Sequence, residues 1–302
     1  MLSTPRECKE DVFEKPFCCK FCGSENYIKY GKRNNKQNYM CKDCGRKFVN
    51  NQYFEGMKAN PKIICLVLDL YFKGVSLRKI ADHLQQFYEL KLSHVSILRW
   101  IEKYVKIMDK YVSQFKPELG NIWHTDEMML QIDGDWFYLW NVLDSKTRFH
   151  LASVISKERR IADARRVFQV AKKNSHGKKP EYIVTDGLHS YNKAIIKEFH
   201  TRTSNTKHIG NVGINRRRNK HLCWDNNKVE RLHGTIRDRN KTQRGLDKED
   251  SIFVKGHRLY YNFIRPHMSL DGQTPAETSQ IDLDLGENKW GMLLNKSLKK
   301  GD

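Results

Sequence analysis

Residues 122–132 read IWHTDEMMLQI, and the runs that follow are DWFYLWNVLDSKT (135–147), RFHLASVIS (148–156) and PEYIVTDGLHSY (180–191). The first three are apolar, β-branched and aromatic, and they are punctuated by Asp133-Gly134 and by the region of Ser145 and Lys146. Such punctuation marks tight turns, so the pattern predicts a meander of three antiparallel strands. The spacing then predicts a helix over Arg160 to Lys173 and a short buried strand from Tyr182 to Thr185. That strand ends at Asp186-Gly187, and another helix starts near Ser190.

Strand-strand-strand-helix-strand-helix is the order of a ribonuclease-H-like α/β fold, with a mixed five-stranded sheet and helices. In that order the first and fourth strands are neighbours. Asp126 in the middle of the first and Asp186 at the end of the fourth can therefore converge. Glu230 lies on a third element, a helix expected from about Asn227 to Lys241 within NNKVERLHGTIRDRNK (226–241). Three carboxylates on three elements are hard oxygen ligands suited to Mg2+. Two such ions roughly 3.5–4 Å apart serve in-line displacement at phosphorus, activating the attacking oxygen and stabilising the leaving one. The neighbouring acids Asp133, Asp135 and Asp144 read as turn residues, and Glu127 as structural support. His124, His189 and His233 read as hydrogen-bonded bystanders, and Trp136 and Trp140 as core.

Working outward to the N-terminus, Cys19, Cys22, Cys41 and Cys44 form two C-x2-C pairs, each followed by glycine (Gly23, Gly45). Glycine permits the tight turn that faces two thiolates towards one ion, and four thiolates suit tetrahedral Zn2+. Cys18 is an alternative to Cys19 as ligand. Residues 1–55 are thus expected to form a zinc-ribbon DNA-binding module with one structural Zn2+, folded by the metal. Residues 56–116 read as a helix-turn-helix DNA-binding domain. Pro61 suits a first helical turn, Ser76 and Ser93 are good N-caps, and Leu77, Ile80, Ala81 and Leu84 recur at helical spacing. His94, Ser96 and Arg99 open the third helix and would face a major groove; a plain three-helix support is the alternative. The stripe Leu98, Ile101, Val105, Met108 and Val112 on that helix reads as a packing face rather than a dimer seam. Residues 117–280 are the catalytic domain and 281–302 a C-terminal tail.

The 302 residues carry 55 Lys and Arg against 35 Asp and Glu, a formal net charge of +20. Such an excess points to a polyanionic partner, because Lys and Arg displace condensed counterions from phosphate backbones. With 39% hydrophobic residues the chain can bury a core, which argues against wholesale disorder. Residues 1–17 lack an apolar stretch of the signal-peptide kind, and no run is long enough to span a bilayer, so no membrane partner is expected. Six of the eight cysteines (8, 18, 19, 22, 41 and 44) crowd the N-terminal module, which fits a metal site in a reducing compartment better than a disulfide framework.

The stretches HTDE (124–127), VTDG (184–187), NNKVERLHGT (226–235) and YYNFIRPHMSLDGQTPAE (260–277) together resemble the DDE transposases of small prokaryotic insertion sequences. These belong to the retroviral-integrase superfamily, and the likeness is in particular to the six-type group with its IS240-like DDE domain. The resemblance implies that Asp126, Asp186 and Glu230 are the catalytic ligands of two Mg2+ (or Mn2+) ions. Arg237 matches a basic position of the family; it lies two helical turns after Glu230, shares its face, and could hold a DNA phosphate. Lys241 continues that basic helix. The gap from Asp186 to Glu230 is longer than usual in the family, and the basic run from Arg202 to Lys220, with Arg216, Arg217 and Arg218, reads as a surface insertion that touches DNA. The implied function is binding of the element's terminal inverted repeats, 3′-end cleavage and strand transfer into target DNA. The implied partners are double-stranded DNA and further copies of the chain, as a dimer or higher oligomer, and the implied location is the nucleoid in a prokaryotic cytoplasm. The alternatives are a domesticated, non-catalytic DNA-binding regulator and a nuclease acting on RNA–DNA hybrids.

Overall fold

The computed structural model describes residues 18–19, 21–33, 36–49, 60–201, 205–210, 226–243, 246, 249 and 251–299. The expected boundary between residues 55 and 56 and the arginines Arg216, Arg217 and Arg218 lie outside the described residues. At the N-terminal end, β1 (Tyr27–Arg33), β2 (Lys36–Cys41) and β3 (Lys47–Val49) make a small antiparallel sheet in that order. One face stacks Tyr27, Tyr39 and Phe48 edge-on or tilted, with ring centroids 5.5–5.9 Å apart.

Three helices follow: α1 (Pro61–Phe72), α2 (Leu77–Tyr88) and α3 (His94–Val112). Pro61 opens α1 behind Asn60, whose side chain caps Lys62 N. Ser76 and Ser93 cap α2 and α3 by accepting from Lys79 N and Ser96 N, each satisfying a backbone donor that a helix start leaves unpaired. On α3 the stripe Ile101, Val105, Met108 and Val112 is buried within the chain, where the helix packs on the helices Ile252–Leu259 and Lys289–Lys299.

The main sheet comprises β4 (Ile122–Ile132), β5 (Asp135–Asp144), β6 (His150–Ser156), β7 (Tyr182–Thr185) and β8 (Lys207–Gly210). Its spatial order is β6-β5-β4-β7-β8. The first three strands pair antiparallel, while β7 lies parallel to β4 and β8 parallel to β7. This is the mixed five-stranded sheet of a ribonuclease-H-like fold. Part of the basic run expected as a surface insertion is therefore its fifth strand, β8. The four residues KHIG are too short and too polar to announce themselves by alternation.

Strand pleating sends successive side chains to opposite faces. On one face Trp123, Trp140 and Val142 pack with Phe168 of α4 (Ile161–Asn174) and Tyr191 of α5 (His189–Phe199). On the other, Met128, Leu130 and Leu139 pack with Leu232 and Ile236 of α6 (Asn227–Gln243) and Phe253 of α7 (Ile252–Leu259). Trp140 is buried as expected, its indole N–H donating to Ser156 Oγ at 2.7 Å. Trp136, expected in the core, is instead 56% exposed. It begins β5 at the hairpin tip opposite Gln131, beyond the covering helices.

After α7 come a π-helical turn (Tyr260–Ile264), a short α8 (Pro275–Thr278) and α9 (Lys289–Lys299). Residues 281–302, expected as a tail, thus carry a helix whose Trp290, Leu293 and Leu294 are buried. Trp290 stacks on Phe72 at 5.7 Å and donates to Asp69 on α1 at 3.2 Å. Burial of such side chains contributes roughly 2 kcal/mol each, so α9 fastens α1 to the body built on the main sheet.

Candidate active site

The parallel pairing of β4 and β7 matches Ile122 with Tyr182, Trp123 with Ile183 and His124 with Val184. Carried two residues further, the same register sets Asp126 abreast of Asp186. Asp126 lies on the sheet face covered by α6, and Asp186 on the turn leaving β7. That turn depends on Gly187, whose φ of 96° is in the left-handed region that glycine enters without steric cost. It is tied by Gly187 N to Thr185 Oγ1 at 2.9 Å and by Leu188 N to Asp186 Oδ1 at 3.0 Å. Gly210 on β8 runs so close that a Cβ there would sit 3.2 Å from Gly187 Cα.

Oxygens of Asp126, Glu127 and Asp186 lie within 4.8 Å of one another. Burial first, then the charges of Glu127 and Asp186 and lastly Glu230, push the Asp126 carboxyl up to about 7. Like charges gathered in a part-buried site disfavour ionisation, and a bound cation relieves that cost. The donor set, all carboxylate oxygen, suits Mg2+ or Mn2+. Glu230 is exposed on the first turn of α6 and its charge reaches Asp126, but the oxygens gathered within 4.8 Å are those of Asp126, Glu127 and Asp186, without Glu230. The start of α6 is held against β4 by Asn226 Nδ2 donating to Thr125 O at 3.5 Å.

The expected bystander histidines have defined places. His124 is buried with Nε2 3.1 Å from Ser145 Oγ. His189 begins α5. His233 on α6 is buried with Nδ1 3.7 Å from Asp126 Oδ2. Burial, and secondarily the Arg237 charge, push its imidazole down to about 3, so it sits neutral beside the acid. Asp144 is a turn acid: its Oδ2 accepts from Thr147 N and Oγ1, both at 2.8 Å. Glu127 is more engaged than expected, accepting from Tyr191 and Arg159; neither partner stands near it in sequence.

Arg237 and Lys241 are exposed on α6, and His94 and Arg99 are exposed on α3, whereas Ser96 bonds the cap Ser93 at 2.9 Å. In the N-terminal ribbon the sulfurs of Cys19, Cys22, Cys41 and Cys44 all lie within 4.8 Å of one another. The knuckles close through Gly23 N to Cys19 O at 2.8 Å and Gly45 N to Cys41 O at 3.0 Å. The backbone N–H of Cys44, and then that of Asp43, draw the Cys41 thiol down to about 7, while the neighbouring Cys22 thiol stands raised at about 12. Cys19 belongs to the cluster and Cys18 does not.

Residues 120–267 match the model of a DDE domain of the IS240 transposase type. This chain carries an IS240-like DDE domain. Two archaeal relatives are each 29% identical: an uncharacterized 48.3 kDa protein of insertion element ISM1 from Methanobrevibacter smithii, over 150 residues, and an uncharacterized protein of Methanocaldococcus jannaschii, over 119. The matches cover 44% and 39% of this chain and span only 36% and 52% of those relatives. Among solved structures, the magnesium-bound catalytic core of HTLV-2 integrase aligns at 14% identity and a TM-score of 0.39, covering 55% of this chain and 98% of that core. A chain of the simian T-cell lymphotropic virus intasome, solved with PP2A regulatory subunit B56 gamma, aligns at 12% identity and 0.38, covering 70% and 74%. The DDE domain supplies the acidic cluster described above. Among the described residues no helix is long and apolar enough to cross a membrane.

Proposed function

We propose that this chain is an active DNA transposase. In this reading the zinc ribbon and α1–α3 bind the terminal inverted repeats of the element, in a prokaryotic cytoplasm, with two or more copies pairing the ends. The DDE site cuts the 3′ strand and joins it to target DNA. The observation that carries the reading is Asp126 set abreast of Asp186, with the Glu230 charge acting on Asp126 from α6.

Asp126, Asp186 and Glu230 would hold two Mg2+ or Mn2+ ions, and Cys19, Cys22, Cys41 and Cys44 one structural Zn2+. When bound, the divalent ions supply activation of the attacking oxygen and stabilisation of the leaving oxygen. The chain's own contribution is placement. The β4–β7 register holds two carboxylates, and Asn226 anchors the helix that brings the third. Neutral His233 adds no positive charge beside Asp126. Arg237 and Lys241 lie along α6, where each would meet a DNA phosphate.

The test is Asp126→Asn. The variant is expected to lose cleavage and joining of element-end duplexes while keeping end binding. Retained strand transfer would overturn the assignment. A wild-type protein that binds ends yet never cuts them with Mg2+ or Mn2+ would move the reading to a non-catalytic regulator.

A further inference from the structure

Glu127 approaches the acidic cluster from the face of the sheet opposite Asp126. Its Oε2 accepts from the Tyr191 hydroxyl at 2.6 Å and its Oε1 from Arg159 Nη1 at 3.3 Å. Tyr191 is fully buried, edge-on to Trp140 at 5.4 Å and tilted against Phe168 at 6.2 Å. Its hydroxyl is therefore a fixed point. Arg159 comes from the link between β6 and α4, with its guanidinium 5.0 Å from the Tyr138 ring centroid. Glu127 is 5% exposed and Arg159 46%. A buried carboxylate thus steers a half-exposed guanidinium at the rim of the cluster. The Glu127 hydrogen bond, and to a lesser degree the Asp186 charge, hold Arg159 more firmly protonated.

We infer that Arg159 binds a DNA backbone phosphate beside the carboxylates, with Glu127 and Tyr191 as the positioning residues that hold it there. The inference rests on the proposed DNA-strand chemistry of this site. Its physical ground is charge. Divalent ions held by the carboxylates would offset their repulsion of the reacting phosphodiester, and a fixed cation at the rim would meet a neighbouring phosphate of the same strand. A guanidinium offers donors in a planar fork that matches two phosphate oxygens. One nitrogen faces Glu127, and the exposed part of the group is turned to solvent. A side chain already held by the Tyr138 ring and by Glu127 loses less freedom on capture than a free one.

The competing explanation is that Arg159 only neutralises Glu127. A cycle of Arg159→Ala, Glu127→Gln and the double variant separates the two in the full chain. Each is built in the Asp126→Asn background for equilibrium binding to an end duplex across a salt series, and in the otherwise wild-type chain for single-turnover cleavage. Arg159→Ala is expected to weaken binding about tenfold and to flatten the slope of log affinity against log salt by about 0.9. Both losses are expected to persist when position 127 is Gln, and Arg159→Lys is expected to restore the slope with only part of the affinity. Tyr191→Phe is expected to give a smaller loss, because it loosens the anchor and leaves the cation. Unchanged affinity and slope in Arg159→Ala, or a loss that vanishes in the Glu127→Gln background, would overturn the inference. If the wild-type chain cuts duplex ends and Arg159→Ala matches it in both assays, this inference alone fails. If the wild-type chain neither binds nor cuts, the transposase reading falls with it.

Discussion

Asp126 and Asp186 stand abreast on neighbouring parallel strands, because the pairing of His124 with Val184 leads straight into both. The arrangement is unfavourable for the metal-free fold. Burial and the Glu127 and Asp186 charges push the Asp126 carboxyl up to about 7, so at neutral pH and above its ionisation costs stability. The strain is of the kind expected where a fold is shaped for a ligand rather than for itself.

The first prediction follows from that cost. Asp126→Asn is expected to raise the metal-free melting temperature at pH 8 by roughly 2 °C, the equivalent of about 1 kcal/mol. Mg2+ should stabilise the wild-type chain in proportion to its occupancy and leave the variant unmoved. Thermal melts with and without millimolar Mg2+ check both halves. A Mg2+ shift of wild-type size in the variant would remove Asp126 from the proposed ligand set.

A second prediction concerns the ribbon. Among the described residues its buried cluster is Cys19, Cys41 and Phe48, backed by Tyr27, Tyr39 and Cys44. So small a cluster cannot offset the entropy of ordering the strands, so an ion held by the four sulfurs is expected to supply the difference. One zinc per chain is expected by elemental analysis. Cys19→Ser should lose it and Cys18→Ser should keep it. Chelation should open the ribbon to protease while the DDE domain keeps its melting temperature; a protected ribbon after full zinc removal would sink the idea.

Much of this architecture could be read before any coordinates. Tyr182–Thr185 and the caps Ser76 and Ser93 announce themselves through local chemistry, a short β-branched run closed by Asp186-Gly187 in the first case and side-chain capping in the others. Asp126 and Asp186 were legible because strand order alone makes their strands neighbours. What escaped needed geometry. The strand Lys207–Gly210 hides in a basic run because four residues carry no usable period. Trp136 looks like core from its type, but it sits at a hairpin tip past the reach of the helices. The Tyr191–Glu127–Arg159 contacts join three elements far apart in sequence, with only the pair Asp126-Glu127 and the basic cluster around Arg159 as faint signs.

A third prediction tests the seam between α1 and the body built on the main sheet. Gly256 on α7 faces Phe72, and a Cβ there would lie 2.7 Å from Phe72 Cε1. Phe72 cannot easily step aside, since Tyr260 and Trp290 stack on it at 6.2 and 5.7 Å. Gly256→Ala should gain about 1 kcal/mol of helix propensity and lose about 3 kcal/mol to overpacking. A net destabilisation of about 2 kcal/mol is expected in urea unfolding. Trimming the opposing ring with Phe72→Leu in the same chain should recover part of it. A more stable Gly256→Ala would show that the seam is loose.

The last prediction concerns acid. His257 is buried among the rings of Phe253, Tyr260 and Tyr261, with centroids 5.8–6.4 Å away. Neither ring nitrogen has a hydrogen-bond partner among the described residues. Burial first, then the charges of Arg265 and Arg239, push it down from the ordinary 6.5 to about 3. Below pH 6.5 the unfolded chain therefore takes up a proton that the folded chain refuses. The stability from keeping His257 neutral is complete above pH 6.5 and is lost progressively as pH falls towards 3. At pH 5 the loss from this one residue is about 2 kcal/mol. His257→Phe, which keeps the aromatic packing and cannot titrate, should reduce the fall in unfolding free energy between pH 7.5 and pH 5 by that amount. Buried His150, also pushed down chiefly by burial, should maintain a residual slope. Parallel urea titrations of the two chains at both pH values decide it: equal falls would mean that His257 already carries its proton in the fold.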